Sequence, residues 1–249
     1  MKIFRSLRRK LVDSGKVKNY LIYAFGEILL IVIGILIAWK INDLNEIRKN
    51  KIVQVKIFES LYEELNTNIT ILDSAIVRYK SNKLALENSL YYVATPHENL
   101  TEETKDLLVR IKFKNSNLRN EALSSINISN KFQFIDNDSL TELIAEYTSE
   151  INVYKDQELK IRNIVENKLK PILEKHISLI EILPKENKNY NCIRTLGIKS
   201  DYTELLNNRD YQNSIIDQLM QTQIQVNIGI NLRKKTQVLA FKLKKELHG

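Results

Sequence analysis

The side chains of this chain that could do chemistry are three histidines, one cysteine and a few closely spaced acids. His97, His176 and His248 are scattered, and none sits in the HExxH spacing that would put two imidazoles on one helix face to hold zinc. Asp136-Asn137-Asp138 has the opening of a calcium loop, but position five is then Leu140 and position six Thr141, where an oxygen ligand and a glycine are needed. A helix cap explains these residues better. Cys192 has no histidine near it in sequence to activate it. A single cysteine also excludes an internal disulfide framework and a multi-cysteine zinc site, leaving at most an intermolecular partner in an oxidising compartment. No P-loop, GxGxxG or GxSxG occurs, and the six glycines never cluster. The Asn68-Ile69-Thr70 triplet is what chance supplies in an Asn-rich chain. The residues therefore nominate no catalytic, cofactor-binding or metal-ligating group and predict a protein that is not an enzyme. An enzymatic site would have to be assembled in space from scattered acids and Cys192.

One acid is differently placed. Glu27 lies inside Tyr20–Trp39, a 20-residue run that is otherwise free of formal charge. As a helix this run would span about 30 Å, the thickness of a bilayer core. Tyr20 and Tyr23 at one end and Trp39 at the other stand where interfacial aromatics belong. Twelve Leu, Ile, Val and Phe side chains favour insertion by roughly 4–7 kcal/mol, against about 2.5–3.5 kcal/mol for one central acid. A cleaved signal peptide fits less well, because the run is long and leaves through Trp39 and Lys40 rather than through small residues. The run predicts an uncleaved transmembrane helix over 20–39.

On a helical wheel Glu27, Gly34 and Ala38 share one stripe, with Gly26 off its margin. Gly34 and Ala38 have the small-xxx-small spacing that lets two backbones approach closely. Gly26, Glu27, Gly34 and Ala38 are thus candidates for association with a second copy or with another protein in the membrane. Two further readings of Glu27 stand beside this one: a step in a proton path, or a protonated acid that the span tolerates.

Charge orients the span. Residues 1–19 carry Lys2, Arg5, Arg8, Arg9, Lys10, Lys16 and Lys18 against Asp13 alone, which leaves 31 basic and 29 acidic groups in the remaining 230 residues. A basic tail before the span and a mixed segment after it place the N-terminus in the cytoplasm. The rest of the chain then lies on the far side, the periplasm of a Gram-negative cell. Nearly balanced charge on that part argues against a nucleic-acid binder, which shows a basic face on its folded part.

The elements follow from periodicity. Only six glycines and three prolines in 249 residues argue for a few long helices rather than a sheet fold. Val55, Phe58, Tyr62, Leu65, Ile69, Leu72, Ile76, Tyr79, Lys83, Leu86 and Leu90 alternate in steps of three and four, ten of the eleven being apolar. Glu59, Glu63, Glu64, Asn66, Asn68, Asp73 and Arg78 read as the polar flanks of that line. One helix is predicted from about Lys18 to Ala94, its far-side part a stalk of ~80 Å, ended by Thr95-Pro96. On this line Ile69 is core, so Ile69→Asp should unfold the domain. Short helices follow over 101–127, with an alternating, strand-like patch at Val109–Lys114. Ser139-Leu-Thr-Glu142 predicts a capping box for a helix over 138–183 that Pro171 should kink or interrupt. After a turn-rich stretch over 184–199, Ser200-Asp201 caps a short piece, and a long helix runs from about Arg209 within 201–247. The predicted class is all-α: a transmembrane helix, a stalk and an antiparallel helical bundle over 40–249. Arg233, Lys234, Lys235, Lys242, Lys244 and Lys245 collect near the end. They could meet lipid phosphates or simply suit a helix C-terminus and a soluble surface.

The first 50 residues also carry a resemblance. Lys18-Asn-Tyr20-Leu-Ile-Tyr-Ala-Phe-Gly26-Glu27-Ile, then Gly34-Ile-Leu-Ile-Ala38-Trp-Lys-Ile-Asn42-Asp-Leu-Asn45-Glu46, resemble the opening of a bacterial family of unknown function whose members are single-span and mostly helical. This chain departs from that opening at Leu44, where the family usually has Trp. Ala122–Ile126 with Leu140–Tyr147, and Tyr202–Tyr211, are similar in a patchier way. The resemblance implies localisation and architecture, and carries over no activity and no site. These expectations together describe a non-catalytic membrane-anchored scaffold, or an accessory subunit of an envelope complex. The alternative is a periplasmic ligand-sensing module, which would signal through a membrane partner because the cytoplasmic tail is too short for an output domain.

Overall fold

The computed structural model describes residues 17–93, 100–109, 113–129, 131–183 and 188–248. The basic tail from Lys2 to Lys16, the break at Thr95-Pro96, His97 and Pro184 lie outside these residues. The chain divides into two compact units, Met1–Lys56 and Ile57–Gly249.

In the first unit the structure is the opening of α1 (Val17–Val93), with bounds within a residue of those read from the absence of Gly and Pro. Its apolar side chains are uncovered: Leu21, Phe25, Leu30, Ile35 and Trp39 are all more than 60% exposed, and exposure continues through Ile41, Leu44 and Ile47. This is the one helix among the described residues long and apolar enough to cross a membrane, and its most apolar window has no part buried.

The second unit begins with the remainder of α1. It continues through α2 (Glu102–Val109), α3 (Glu121–Ile128), α4 (Asp138–Ile164), α5 (Lys170–His176), α6 (Asn191–Leu196), α7 (Tyr202–Asn207) and α8 (Arg209–His248). Among the described residues there is no strand. Of the strand-like patch, residues 110–112 lie outside the described residues; Val109 ends α2, and Phe113 to Asn120 form a segment outside any helix. Buried Phe58, Leu61, Leu65, Leu72, Ala75, Tyr79 and Leu86 form the inner face of α1.

That face corrects the heptad line. Val55, Tyr62, Ile69, Lys83 and Leu90 are only half-buried, whereas Glu64 and Asn68, expected as outward flanks, are 6% and 0% exposed. The inner face is wide because α1 is covered from two sides: Asn68 meets the backbone of Arg119, and Asp73 meets Arg233 of α8.

Side-chain contacts set the directions. Asn68 meets Tyr147 and Tyr79 meets Glu158, the same 79-residue offset twice, so α1 and α4 run parallel. Asp73 with Arg233 and Ile76 beside Gly229 make α8 antiparallel to α1. Glu146 and Glu150 with Lys235, and Gln157 with Gln221, do the same against α4. The return between the two parallel helices runs from Lys114, level with Arg78, to Ala122, level with Glu64. At about 3.3 Å per residue, an extended stretch retraces with eight residues what α1 covers with fourteen at 1.5 Å.

The expected helix over 138–183 needs two corrections, at its start and at its end. Asn137, not Ser139, is the N-cap, its Oδ1 accepting from the Leu140 amide at 3.1 Å, so Ser139 lies inside the first turn. The expected interruption is present near Pro171. A π turn at Val165–Leu169 precedes it, and Pro171 falls in the first turn of α5, where its missing N–H costs little. The helix stops at His176, where Ile177 turns extended (φ −113°, ψ 127°), and a short 3-10 turn, Leu179–Ile182, follows. At Asp201 the expected cap forms, accepting from the Glu204 amide at 2.8 Å.

Candidate functional site

The residues nominated for association stay apart from any packed structure. A Cβ built on Gly26 or Gly34 meets nothing within 4 Å; Ala38 is exposed and Glu27 half-buried. Cys192 is exposed and free. His176 is buried and structural: its Nδ1 lies 3.3 Å from Glu204, its Nε2 3.4 Å from Asn208, and its carbonyl accepts from the Asp201 amide, so it ties the end of α5 to α7. His248 contacts the Lys244 carbonyl. Of the six late basic groups, Arg233 pairs with Asp73, and Lys235 with Glu146 and Glu150, inside the second unit. The other four, Lys234, Lys242, Lys244 and Lys245, make no ion pair among the described residues.

The polar chemistry of the second unit is concentrated where the return segment is gripped between α1 and α4. Asn68 behaves like one residue of a neighbouring strand: its Oδ1 accepts from the Arg119 amide and its Nδ2 donates to the Arg119 carbonyl, both at 2.8 Å. The same amide also donates to the Tyr147 hydroxyl at 3.2 Å. One turn earlier, Glu64 accepts from the amides of Ala122 at 2.7 Å and Leu123 at 3.3 Å. It thereby serves the N-terminus of α3, whose own N-cap Asn120 makes no side-chain capping bond, and a carboxylate there also meets the positive end of the helix dipole. Burial pushes the Glu64 carboxyl above its usual range, outweighing the backbone amides of Ala122, Leu123 and Glu121 that lower it.

Further along, Glu158 is 3% exposed. Its Oε1 accepts from the Tyr79 hydroxyl at 2.7 Å, the Ser116 hydroxyl at 2.5 Å and the Ser116 amide at 3.0 Å. With its proton on Glu158, Ser116 Oγ accepts in turn from Tyr154 at 2.8 Å and Arg78 at 3.1 Å. Arg78 also donates to the Lys114 carbonyl at 3.2 Å. Burial, with the Glu158 charge second, pushes the Tyr154 phenol up to about 12 and the Tyr79 phenol higher still. Both are donors at neutral pH, so each phenol holds its hydrogen bond as a neutral hydroxyl. Beside it a cleft of about 500 Å³ opens between residues 113–121 and the 155–162 stretch of α4, with Glu158 in its wall. Asn117, at the bend of the segment, has φ 57°, a left-handed conformation that Asn tolerates better than most residues.

Reading the sequence missed Glu64, Asn68, Ser116 and Glu158. A signal for the first two existed: apolar Leu61, absent from the heptad line, joins Leu65 and Leu72 in a stripe that includes positions 64 and 68. Nothing local marks Ser116 or Glu158, whose partners lie 38 to 79 residues away.

Residues 27–94 are similar to a family of unknown function (DUF6090). The matched segment holds the apolar run from Glu27 and the rest of α1, and stops before the return segment and the cleft. No curated protein and no solved structure matches the chain.

Proposed function

We propose that this chain is a non-catalytic, membrane-anchored helical scaffold or an accessory subunit of a cell-envelope complex. It crosses the bacterial cytoplasmic membrane once, with the basic tail in the cytoplasm and the second unit in the periplasm as an antiparallel helical bundle. One observation carries this reading: among the described residues the most apolar window of α1 has no part buried, while Ile57–Gly249 buries a core of its own. In water that surface would need a cover; lipid supplies one. The buried polar network supports a structural role, since Glu64, Asn68 and Ser116 bond backbone groups and neighbouring side chains within it.

Association runs through the span. Gly34 and Ala38 offer a close-packing face with Glu27 beside it, so the partner is a second copy or another membrane helix. Light scattering of the full-length protein in a mild membrane mimetic tests this. A defined oligomer that Gly34→Leu breaks supports it, with Glu27→Gln reporting whether the acid takes part. A monomer unchanged by either substitution overturns self-association and sends the search to a pull-down from native membranes. A second reading, a periplasmic ligand-sensing module, is favoured by one observation, the cleft beside Glu158.

A further inference from the structure

We propose that the cleft between the return segment and α4 binds a small zwitterion, namely a free α-amino acid. The inference rests on the ligand-sensing reading and is independent of the membrane reading. Its volume, about 500 Å³, lies in the range of small-molecule sites.

The anchor for the ligand's ammonium is Glu158. All three hydrogen bonds to this buried carboxylate fall on Oε1, and Oε2 accepts none from the described residues although Glu158 forms part of the cleft wall. Oε2 is thus free to accept, and an ammonium group supplies an N–H and a positive charge for it. Oε1 is meanwhile fixed by Tyr79 and Ser116, so Oε2 is presented in one orientation rather than as a mobile surface acid.

Around it stand three cations, Arg119, Lys155 and Arg162, none in an ion pair among the described residues, and two further acids, Glu121 and Asp156. Lys155, Glu158 and Arg162 lie three and four residues apart, on one face of α4. Arg119 comes from the opposite wall, its backbone pinned by Asn68. The wall therefore carries both signs, and a ligand of a single charge, of either sign, would sit beside like charges. A molecule with an ammonium and a carboxylate on one carbon answers both, and Leu118 and Leu159 in the same wall leave apolar surface for a side chain. Because Tyr79 of α1 and Ser116 of the return segment share the Glu158 carboxylate, an occupant tightens the grip of α1 on that segment and stabilises the second unit.

The experiment is calorimetric titration of the full-length protein in mild detergent with each standard L-amino acid, beside propylamine and propionate, and a thermal melt of each mixture. Expected is saturable binding of at least one amino acid with a raised melting temperature, and no binding of either one-charge compound. Arg162→Gln, an exposed change outside the buried network, should weaken binding about tenfold or more, the scale of a lost charge-assisted bond. Glu158→Gln should abolish it. Absence of binding by every amino acid, equal binding of propionate, or wild-type affinity in Arg162→Gln each overturns the proposal. None of these outcomes touches the anchor or its topology, which are read by labelling in cells.

Discussion

Replacing Asn68 by leucine removes the grip of α1 on the return segment while leaving an apolar side chain of similar size in a site that is 0% exposed. Three hydrogen bonds are lost, two to Arg119 at 2.8 Å and one to Tyr147 at 3.2 Å. Most of the cost is in what stays behind: the N–H and C=O of Arg119, about 1–3 kcal/mol each when left without partners. The site is partly accessible on the Arg119 side, which favours the lower half of that range, and the added apolar burial returns about 1 kcal/mol. The net destabilisation is about 1–3 kcal/mol. For a unit of this size that is a fall in melting temperature of roughly 2–12 °C, read by circular dichroism of the full-length protein in mild detergent. Asn66→Leu is the control: two residues away, its amide bonds only the Tyr62 carbonyl on the exposed face, so it should change stability by less than about 0.5 kcal/mol. If Asn68→Leu melts with Asn66→Leu, the return segment is not held by this side chain and the reasoning fails.

Three other outcomes follow from the same packing. Leu65→Asp, at 0% exposure, should abolish the cooperative melt, whereas Ile69→Asp, on the half-buried margin, should leave a folded unit with a lower melting temperature; the reverse order would restore the simple heptad line. At Gly229 a Cβ would lie 3.3 Å from Ile76 and 3.4 Å from Tyr154. Gly229→Ala should therefore be near neutral, a helix-propensity gain of about 1 kcal/mol offsetting the crowding, while Gly229→Leu costs about 2 kcal/mol or more in the same melt. Burial raises the Glu64 carboxyl in the folded chain, so its contribution is fully present below the ordinary glutamate range and is lost as pH rises through the folded value. Melts of wild type and Glu64→Gln across about pH 4 to 7 should show that decline only in the wild type; parallel profiles would refute it.

Periodicity made the long helices legible because each is a repeated local signal. α1 and α8 carry apolar side chains every three or four residues with no internal break, and Asp201 announces its helix with a side chain that can reach only its own first turn. The return leg was not legible for the opposite reason. Phe113 to Asn120 has neither helical period nor turn pattern of its own, and it is held by Asn68, Arg78 and Glu158 from helices distant in sequence. Glu64 and Asn68 look like surface residues until the backbone they serve is placed against them. Pro171 announces a kink or an interruption because proline removes an α-helical bond, and the form this takes, a π turn before it, is not legible in the residues. Of the candidate site, Glu27, Gly34 and Ala38 were visible as departures from an apolar run, whereas the cleft around Glu158 exists only through folding.

The account depends most on which side of the membrane the second unit occupies, and the chain carries its own reporter, an exposed single cysteine at Cys192. Intact Gram-negative cells expressing the full-length protein would be treated with a small membrane-impermeant maleimide, beside a Cys192→Ser chain with cysteine placed at Ser6 in the basic tail. A single span with its tail in the cytoplasm predicts that Cys192 is labelled in intact cells and the cysteine at position 6 only after lysis. Labelling of position 6 in intact cells, with Cys192 protected until lysis, would contradict it.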